Sequence, residues 1–302
     1  MTNDDSFDLK GYLSIRKARV DKELDKCLPQ AGGPANDLIK AMRYSLFAGG
    51  KRLRPILCMA GAEAVGGNEE QVLPVACALE FIQTYSLIHD DLPVMDDDDL
   101  RRGKPTCHKV FGDALALLAG DALLTEAFTI LSNIAISERI PAGALLRVVG
   151  IISRASGYAG MVGGQVADIQ SQGTPVDLSF VQFIHSRKTA ALIEGSVAAG
   201  AVLGGGNEEE INALSDYGRK IGLAFQISDD ILDIESTSET LGKKVGADVE
   251  RGKATYPSVV GMKNSKDVGI ELVEQSLEAI NAFDHRAAPL RKIARYIVER
   301  KK

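Results

Sequence analysis

Two clusters of carboxylates lie inside apolar, helix-spaced sequence, and a chain can bury such segments only if something positive meets the acids. Asp229, Asp230 and Asp233 fall within the apolar run 221–234. Together with Gln226 they stand at offsets of 0, 3, 4 and 7, which share one face of an α-helix. Six more carboxylates, Asp90, Asp91, Asp96, Asp97, Asp98 and Asp99, crowd the end of the apolar segment 72–89. In an unbroken helix Asp90 and Asp96 would point about 240° apart. Pro93 predicts that the helix ends or distorts there, which lets the chain fold Asp96 back toward Asp90. A solvated acidic face accounts for the first cluster taken alone, but not for a second one embedded in apolar sequence. A calcium-type loop would need a glycine at its tight turn, and the first one after Asp90 is Gly103. Acid clusters on facing helices of a bundle make a divalent-metal site. All-oxygen ligation with no His or Cys cage points to Mg²⁺ held largely through water and a substrate phosphate.

Apolar residues recur at helical spacing nearly throughout, broken briefly at 30–36, 65–69, 101–106, 137–143, 173–178 and 204–207. No linker or low-complexity stretch divides the chain, so the expectation is one all-α domain over residues 1–302. A long polar connection at 236–256 reads as a functional lid. The charge balance, 35 basic against 41 acidic side chains, contains no basic tract. That excludes a nucleic-acid footprint and assigns any basic cluster to a local anion. The acidic N-terminus has no apolar core of a leader, and no apolar run is read as reaching the roughly 18–20 residues needed to span a bilayer. The expected location is cytoplasmic. Cys27, Cys58, Cys77 and Cys107 form no CxxC pair and read as ordinary thiols, not zinc ligands or disulfides.

The cations are placed as a phosphate site requires. Gly49, Gly50, Lys51, Arg52, Leu53, Arg54 and Pro55 describe a turn running into a helix start, with Lys51 and Arg54 near its positive end. Arg101 and Arg102 follow the first acid cluster, and Lys243 and Lys244 trail the second, so each acid motif is succeeded by anion-binding groups. In the helical segment 178–203, His185 to Thr189 are five polar residues in succession and point all the way round the helix. Lys188 and Thr189 are therefore read as facing a polar cavity. Gly163, Gly164 and Gln165 carry two readings of equal weight, close helix approach or chemistry.

At this point the sequence resembles a family, the trans-type (all-E) prenyl diphosphate synthases, and within it the bacterial farnesyl diphosphate synthases. The resemblance spans about residues 36–260. It rests on Gly50-Lys51-x-x-Arg54-Pro55, on Tyr85-Ser86 through Asp90-Asp91, Asp96 and Arg101-Arg102, on Gly163-Gly164-Gln165, on Lys188-Thr189, on Phe225-Gln226-x-x-Asp229-Asp230-x-x-Asp233, and on Gly242-Lys243 with Gly252-Lys253. It implies an all-α isoprenoid synthase bundle of about 10–13 helices around a deep central cavity, usually a homodimer. By resemblance, Asp90, Asp96 and Asp229 are the main Mg²⁺ ligands, with Asp91, Asp230 and Asp233 acting directly or through water. About three Mg²⁺ ions are expected per loaded site. Arg101, Lys188, Thr189, Gln226 and Lys243 would hold the allylic diphosphate; Lys51, Arg54, Gln83 and Arg102 would hold isopentenyl diphosphate; Lys253 joins the substrate-binding set. Thr189 and Gln226 would guide an allylic cation while Lys243 closes over it.

The expected activity is condensation of isopentenyl diphosphate with dimethylallyl and then geranyl diphosphate to farnesyl diphosphate. Tyr85 and Ser86, about 6–8 Å along the helix from Asp90, are the expected chain-length residues, because an aromatic ring there would stop a growing tail at fifteen carbons. The alternatives are a geranylgeranyl or longer-chain synthase, a terpene cyclase and a non-catalytic metal-binding subunit. A cyclase's second motif would read differently and would not need Lys51 and Arg54. A non-catalytic subunit would be expected to lack some of these charged groups, all of which are present.

Overall fold

In the computed structural model, which describes residues 7–133, 140–235 and 253–300, the chain is almost entirely helical. The N-terminal half runs through α1 (Leu9–Cys27), α2 (Asn36–Leu46), α3 (Leu53–Ala64), α4 (Glu69–Asp90), a two-residue antiparallel hairpin of β1 (Leu100–Arg101) and β2 (Lys104–Pro105), α5 (Cys107–Phe111) and α6 (Asp113–Leu131). Then come α7 (Ala142–Ser156), α8 (Met161–Ser171), α9 (Leu178–Ile184), a π-helical turn (His185–Ala190), α10 (Ala191–Leu203) and α11 (Glu208–Glu235). The chain closes with α12 (Tyr256–Val260), α13 (Met262–Ala279), a 3₁₀ turn (His285–Ala287) and α14 (Ala288–Glu299). These fourteen α-helical stretches include two of five residues, and α9 and α10 are halves of one rod joined by the π turn. The long elements thus match the expected bundle.

The centre is set by α3 and α10, which are apolar on nearly every side and pack on each other. Their backbones approach closely because the facing residues are small. A Cβ on Gly200 would fall 1.9 Å from the Cys58 carbonyl oxygen, and one on Gly61 would fall 2.5 Å from that of Val197. Around this pair, α4 packs on α3 and α6, and α11 packs on α10 and α13, so the two acid-bearing helices flank one core. Most buried apolar side chains from Tyr12 to Ile297 join one cluster, and Val181, Ile227 and Tyr256 form a smaller second one. Both acid-bearing helices begin with side-chain caps: Asn68 Oδ1 accepts from Glu70 N–H at 2.9 Å, and Asn207 and Glu210 satisfy each other's backbone N–H groups.

The first acid cluster turns as Pro93 predicts. Helix α4 stops at Asp90, and Asp96 N–H donates to the Asp90 carbonyl at 2.9 Å. Asp97 takes the left-handed conformation, φ 48°, and its N–H reaches the Leu92 carbonyl at 3.1 Å. The π turn and the small hairpin were not expected from periodicity, which does not distinguish π from α over one turn. Residues 236–252, which hold Lys243 and all but the last four positions of the lid reading over 236–256, lie outside the described residues.

The membrane expectation needs correction. Among the described residues, three helical stretches are long and apolar enough to cross a bilayer: α4, α6 and the run 142–171. The expectation counted unbroken apolar residues, whereas mean hydropathy over a helix tolerates an occasional charge. Helix α4 is core, while α6 and 142–171 leave apolar side chains such as Leu118 and Leu146 exposed.

The central packing generates a test. On an open helix, Gly→Ala gains roughly 1 kcal/mol of propensity; at Gly200 the added methyl meets rigid backbone, and overpacking costs about 1–3 kcal/mol and should win. Gly200→Ala is expected to lower the thermal midpoint by several degrees, while Gly143→Ala, in α7 with nothing within 4 Å, should leave it unchanged or raise it. Equal midpoints for both variants would show that the α3–α10 contact does not limit packing.

Candidate active site

A cavity of about 990 Å³ opens between the loop before α3, helices α3, α4 and α8, the π turn and α11. It brings together Lys51, Arg54, Gln83, Tyr85, Ser86, Asp90, Arg101, Arg102, Lys188, Thr189, Gln226 and Asp229. Residues spread over 179 positions of sequence thus share one space. The apolar side chains of Met161, Val166 and Ile169 on α8 complete the wall beside Tyr85.

The cationic side is built on a buried anchor. Arg52 is 2% exposed and takes a left-handed conformation; its guanidinium meets Asp21 and Glu80 at 2.7 Å each and donates to the Leu46 carbonyl at 2.8 Å. Removing either partner would leave an uncompensated charge, so the network fixes the loop that presents Lys51 and Arg54. Gly50 has φ 122°, and a Cβ there would fall 2.6 Å from Arg102 Nη1. The glycine lets Arg102, which also donates to the Gly49 carbonyl, lie across the loop. Burial pulls the Arg54 guanidinium down to about 10, with neighbouring Arg102 adding to the fall and Glu80 opposing it. Burial likewise lowers Arg102. Arg54 Nε and Gln83 Oε1 are buried without a hydrogen-bond partner. Desolvated cations with an unused donor are what an anion such as diphosphate would satisfy.

Opposite them stand the acids, three of which are paired with cations of the same chain. Asp229 Oδ1 lies 2.6 Å from Arg300 Nη2, Asp96 lies 3.3 Å from Lys253 Nζ, and Asp91 is paired with Arg101. Burial pushes the Asp90 carboxyl up to about 6, with Lys188 opposing the rise and Asp96 adding to it. Among the described residues no three acid, His or Cys side chains converge into a ready-made metal cage. An all-oxygen donor set at the rim of a cation-lined cavity nevertheless fits a hard divalent ion that takes its remaining ligands from water and a diphosphate.

The six expected metal ligands separate. Asp90 and Asp229 line the cavity, and Asp96 is turned back beside Asp90. Asp91 is 3% exposed and held by Arg101. Asp230 accepts from Gln226 Nε2 and the Tyr256 N–H and lies 3.3 Å from His185 Nε2, and Asp233 is buried outside the cavity lining. Consecutive helical residues point about 100° apart, so Asp229 and Asp230 cannot face the same space. Of the other expected residues, Lys253 lines a smaller adjoining pocket with Lys188 and Thr189, and Lys243 lies outside the described residues.

Gly164 is resolved as a packing glycine, since a Cβ there would fall 2.2 Å from Lys188 N, while Gln165 reaches the main cavity. Sequence reading missed Asp168, whose Oδ2 takes Lys188 Nζ at 2.5 Å, and Arg300, which lines the cavity and lies over the Phe225 ring at 4.0 Å. An acid embedded in apolar helix was the available signal for Asp168; nothing local marks Arg300.

The polyprenyl synthetase family profile matches residues 35–290. The chain is 48% identical over 296 residues to a dimethylallyltranstransferase of Fischerella ambigua, covering 98% of this chain and 84% of that protein. It is 47% identical to a geranylgeranyl diphosphate synthase of Cyanophora paradoxa, with 98% and 97% covered, and geranylgeranyl synthase names predominate among the similar proteins. The solved structure of an FPP/GFPP synthase from Zymomonas mobilis superposes with a TM-score of 0.85 at 40% identity, covering 96% of this chain and 98% of the other. The cation-lined cavity, the two acid clusters and these likenesses agree: the chain belongs to the polyprenyl synthetase family and is a prenyl diphosphate synthase.

Proposed function

We propose that the chain condenses isopentenyl diphosphate with allylic diphosphates and carries the product to twenty carbons, the length named for most of its similar relatives. The observation that carries the reaction is the single cavity in which desolvated Arg54 and Arg102 face Asp90 and Asp229. Asp90, Asp96 and Asp229 would hold Mg²⁺; when bound with the diphosphate it offsets negative charge on the leaving group, so the allylic C–O bond can ionise. Lys188 and Arg101 orient the allylic diphosphate. Lys51, Arg54, Gln83 and Arg102 fix isopentenyl diphosphate so that its double bond faces the allylic carbon. Thr189 Oγ and Gln226 Oε1, hydrogen-bonded at 2.8 Å, turn oxygen dipoles toward developing positive charge. The apolar wall keeps water from the cation. A new carbon–carbon bond forms, and a proton lost to the departing diphosphate completes the elimination, so no protein nucleophile is required.

A fifteen-carbon product is the second reading, favoured by one observation. Tyr85 is buried in the cavity wall, edge-on to His89 with ring centroids 5.7 Å apart, where a tail descending from Asp90 would meet it. Ser86 turns its hydroxyl back to the Gln83 carbonyl at 3.0 Å, leaving a small wall beside the ring. The exposed apolar side chains of α6 and α7 suit a second copy of the chain, and we assign them to a homodimer.

Purified protein given Mg²⁺, isopentenyl diphosphate and dimethylallyl diphosphate should yield chiefly geranylgeraniol after dephosphorylation and chromatography. Farnesol as the end product would support the second reading, in which case Tyr85→Ala should lengthen the product; no prenyl product would contradict the function. The division of the cations has its own test. Arg54→Ala should raise the KM for isopentenyl diphosphate more than for the allylic partner, and Lys188→Ala should show the opposite bias. Each lost charge-assisted contact costs about 1.5–3 kcal/mol, roughly ten- to a hundredfold. Equal effects of both variants on both substrates would overturn the division.

A further inference from the structure

Beneath Gln226 lies a buried cluster that the reaction as described does not use. Asp230, 4% exposed, divides its two oxygens. Oδ1 accepts from Gln226 Nε2 at 3.0 Å, while Oδ2 accepts from the Tyr256 backbone N–H at 2.8 Å and lies 3.3 Å from His185 Nε2. His185 is equally buried, stacked on the Tyr256 ring with centroids 5.9 Å apart, and its Nδ1 has no hydrogen-bond partner. It opens the π turn that also carries Thr189, so one irregular turn supplies both His185 beneath Gln226 and the hydroxyl bonded to it. Such π turns recur at functional sites.

The chemistry of these groups fixes one orientation. An ionised carboxylate only accepts, so the part of the Gln226 amide that faces Asp230 must be the NH₂. Its Oε1 is thereby turned to Thr189 and the cavity. Were Asp230 to rotate, the amide could flip and present N–H hydrogens to the cavity, where positive charge develops, and the dipole would then have the wrong sign. The tether on Oδ2 is therefore what keeps Oδ1 available to Gln226.

We propose that His185 is a positioning residue: by holding Oδ2 of Asp230 it fixes the Gln226 amide with its oxygen toward the allylic carbon. This rests on the cavity being the place of allylic ionisation, and it separates Asp230 from the metal ligands as an orienting group. Tyr256 N–H gives Oδ2 one hydrogen bond, and His185 Nε2, 3.3 Å away, supplies its second point of contact.

The test compares His185→Leu, His185→Asn, His185→Gln, Gln226→Ala and the double variant His185→Leu/Gln226→Ala, each checked by circular dichroism and assayed at saturating Mg²⁺. His185→Leu should lower kcat at least about tenfold while both KM values stay within about twofold. His185→Gln, whose Nε2 can still reach Asp230, should return to within about threefold of wild type, and the shorter His185→Asn should not. In the Gln226→Ala background, His185→Leu should cost no more than about a further twofold, because there is no amide left to orient. The proposal is overturned if His185→Leu keeps wild-type kcat, if its effect falls on KM, or if the two losses multiply in the double variant. Should His185→Leu not fold, equal activity of the Asn and Gln variants overturns it. Full activity of Gln226→Ala would instead remove the role assigned to Gln226, and wild-type protein that forms no prenyl product would remove the functional reading itself.

Discussion

The structure depends on matching carboxylates to cations around the cavity. Asp229 has Arg300, Asp96 has Lys253, Asp91 has Arg101, Asp168 has Lys188, and Glu80 has Arg52. Buried ion pairs are weak contributors to stability, because desolvation offsets most of the attraction, yet removing one partner is strongly destabilising. They divide here into two kinds. Arg52 with Glu80 is enclosed and serves the loop beneath the cavity. Arg300 and its partner Asp229, together with Lys188 and Arg101, line the cavity, where a bound diphosphate would compete for the cations and a metal for Asp229. A site whose own charges already neutralise one another can take up a metal diphosphate by exchanging partners, with little change in the net charge buried.

That exchange is useful only if the two sides stay in register. The close approach of α3 and α10 supplies a rigid centre, and α4 and α11 are carried on either side of it. Asp229, Asp168 and Glu80 sit on helices, the loop that presents Lys51 and Arg54 is pinned by Arg52, and the π turn places Lys188 and Thr189 against α8 and α11. Catalysis by ionisation needs such preorganisation, because no covalent step compensates for misplaced charge.

Much of this was legible in the sequence, for identifiable reasons. Helical periodicity put Gln226, Asp229, Asp230 and Asp233 on one face, of which Gln226 and Asp229 line the cavity while Asp230 and Asp233 are buried outside its lining, and Pro93 predicted the return of Asp96 to Asp90. The local pattern could not show how finely that face divides. Asp229 and Asp230 are adjacent, yet the 100° step sends one to the cavity and the other to His185. Arg300 was illegible because its partner is 71 residues away, and only the packing of the C-terminal segment against α11 brings them together. The glycines at 163 and 164 were ambiguous until the backbone of Lys188 was seen beside Gly164. Product length was the least legible property: it depends on the whole cavity wall, and Tyr85 is one side chain of that wall.

The central claim, that acids and cations form one site completed by a metal diphosphate, can be measured without turnover. Isothermal titration of the wild-type protein with inorganic diphosphate, with and without Mg²⁺, reads the coupling between the two ligands directly. The account predicts that Mg²⁺ strengthens diphosphate binding at least about tenfold, equivalent to 1.4 kcal/mol or more, and that diphosphate strengthens Mg²⁺ binding by the same factor. Diphosphate binding that is unchanged by a chelator, or tight saturable Mg²⁺ binding that is indifferent to diphosphate, would contradict it.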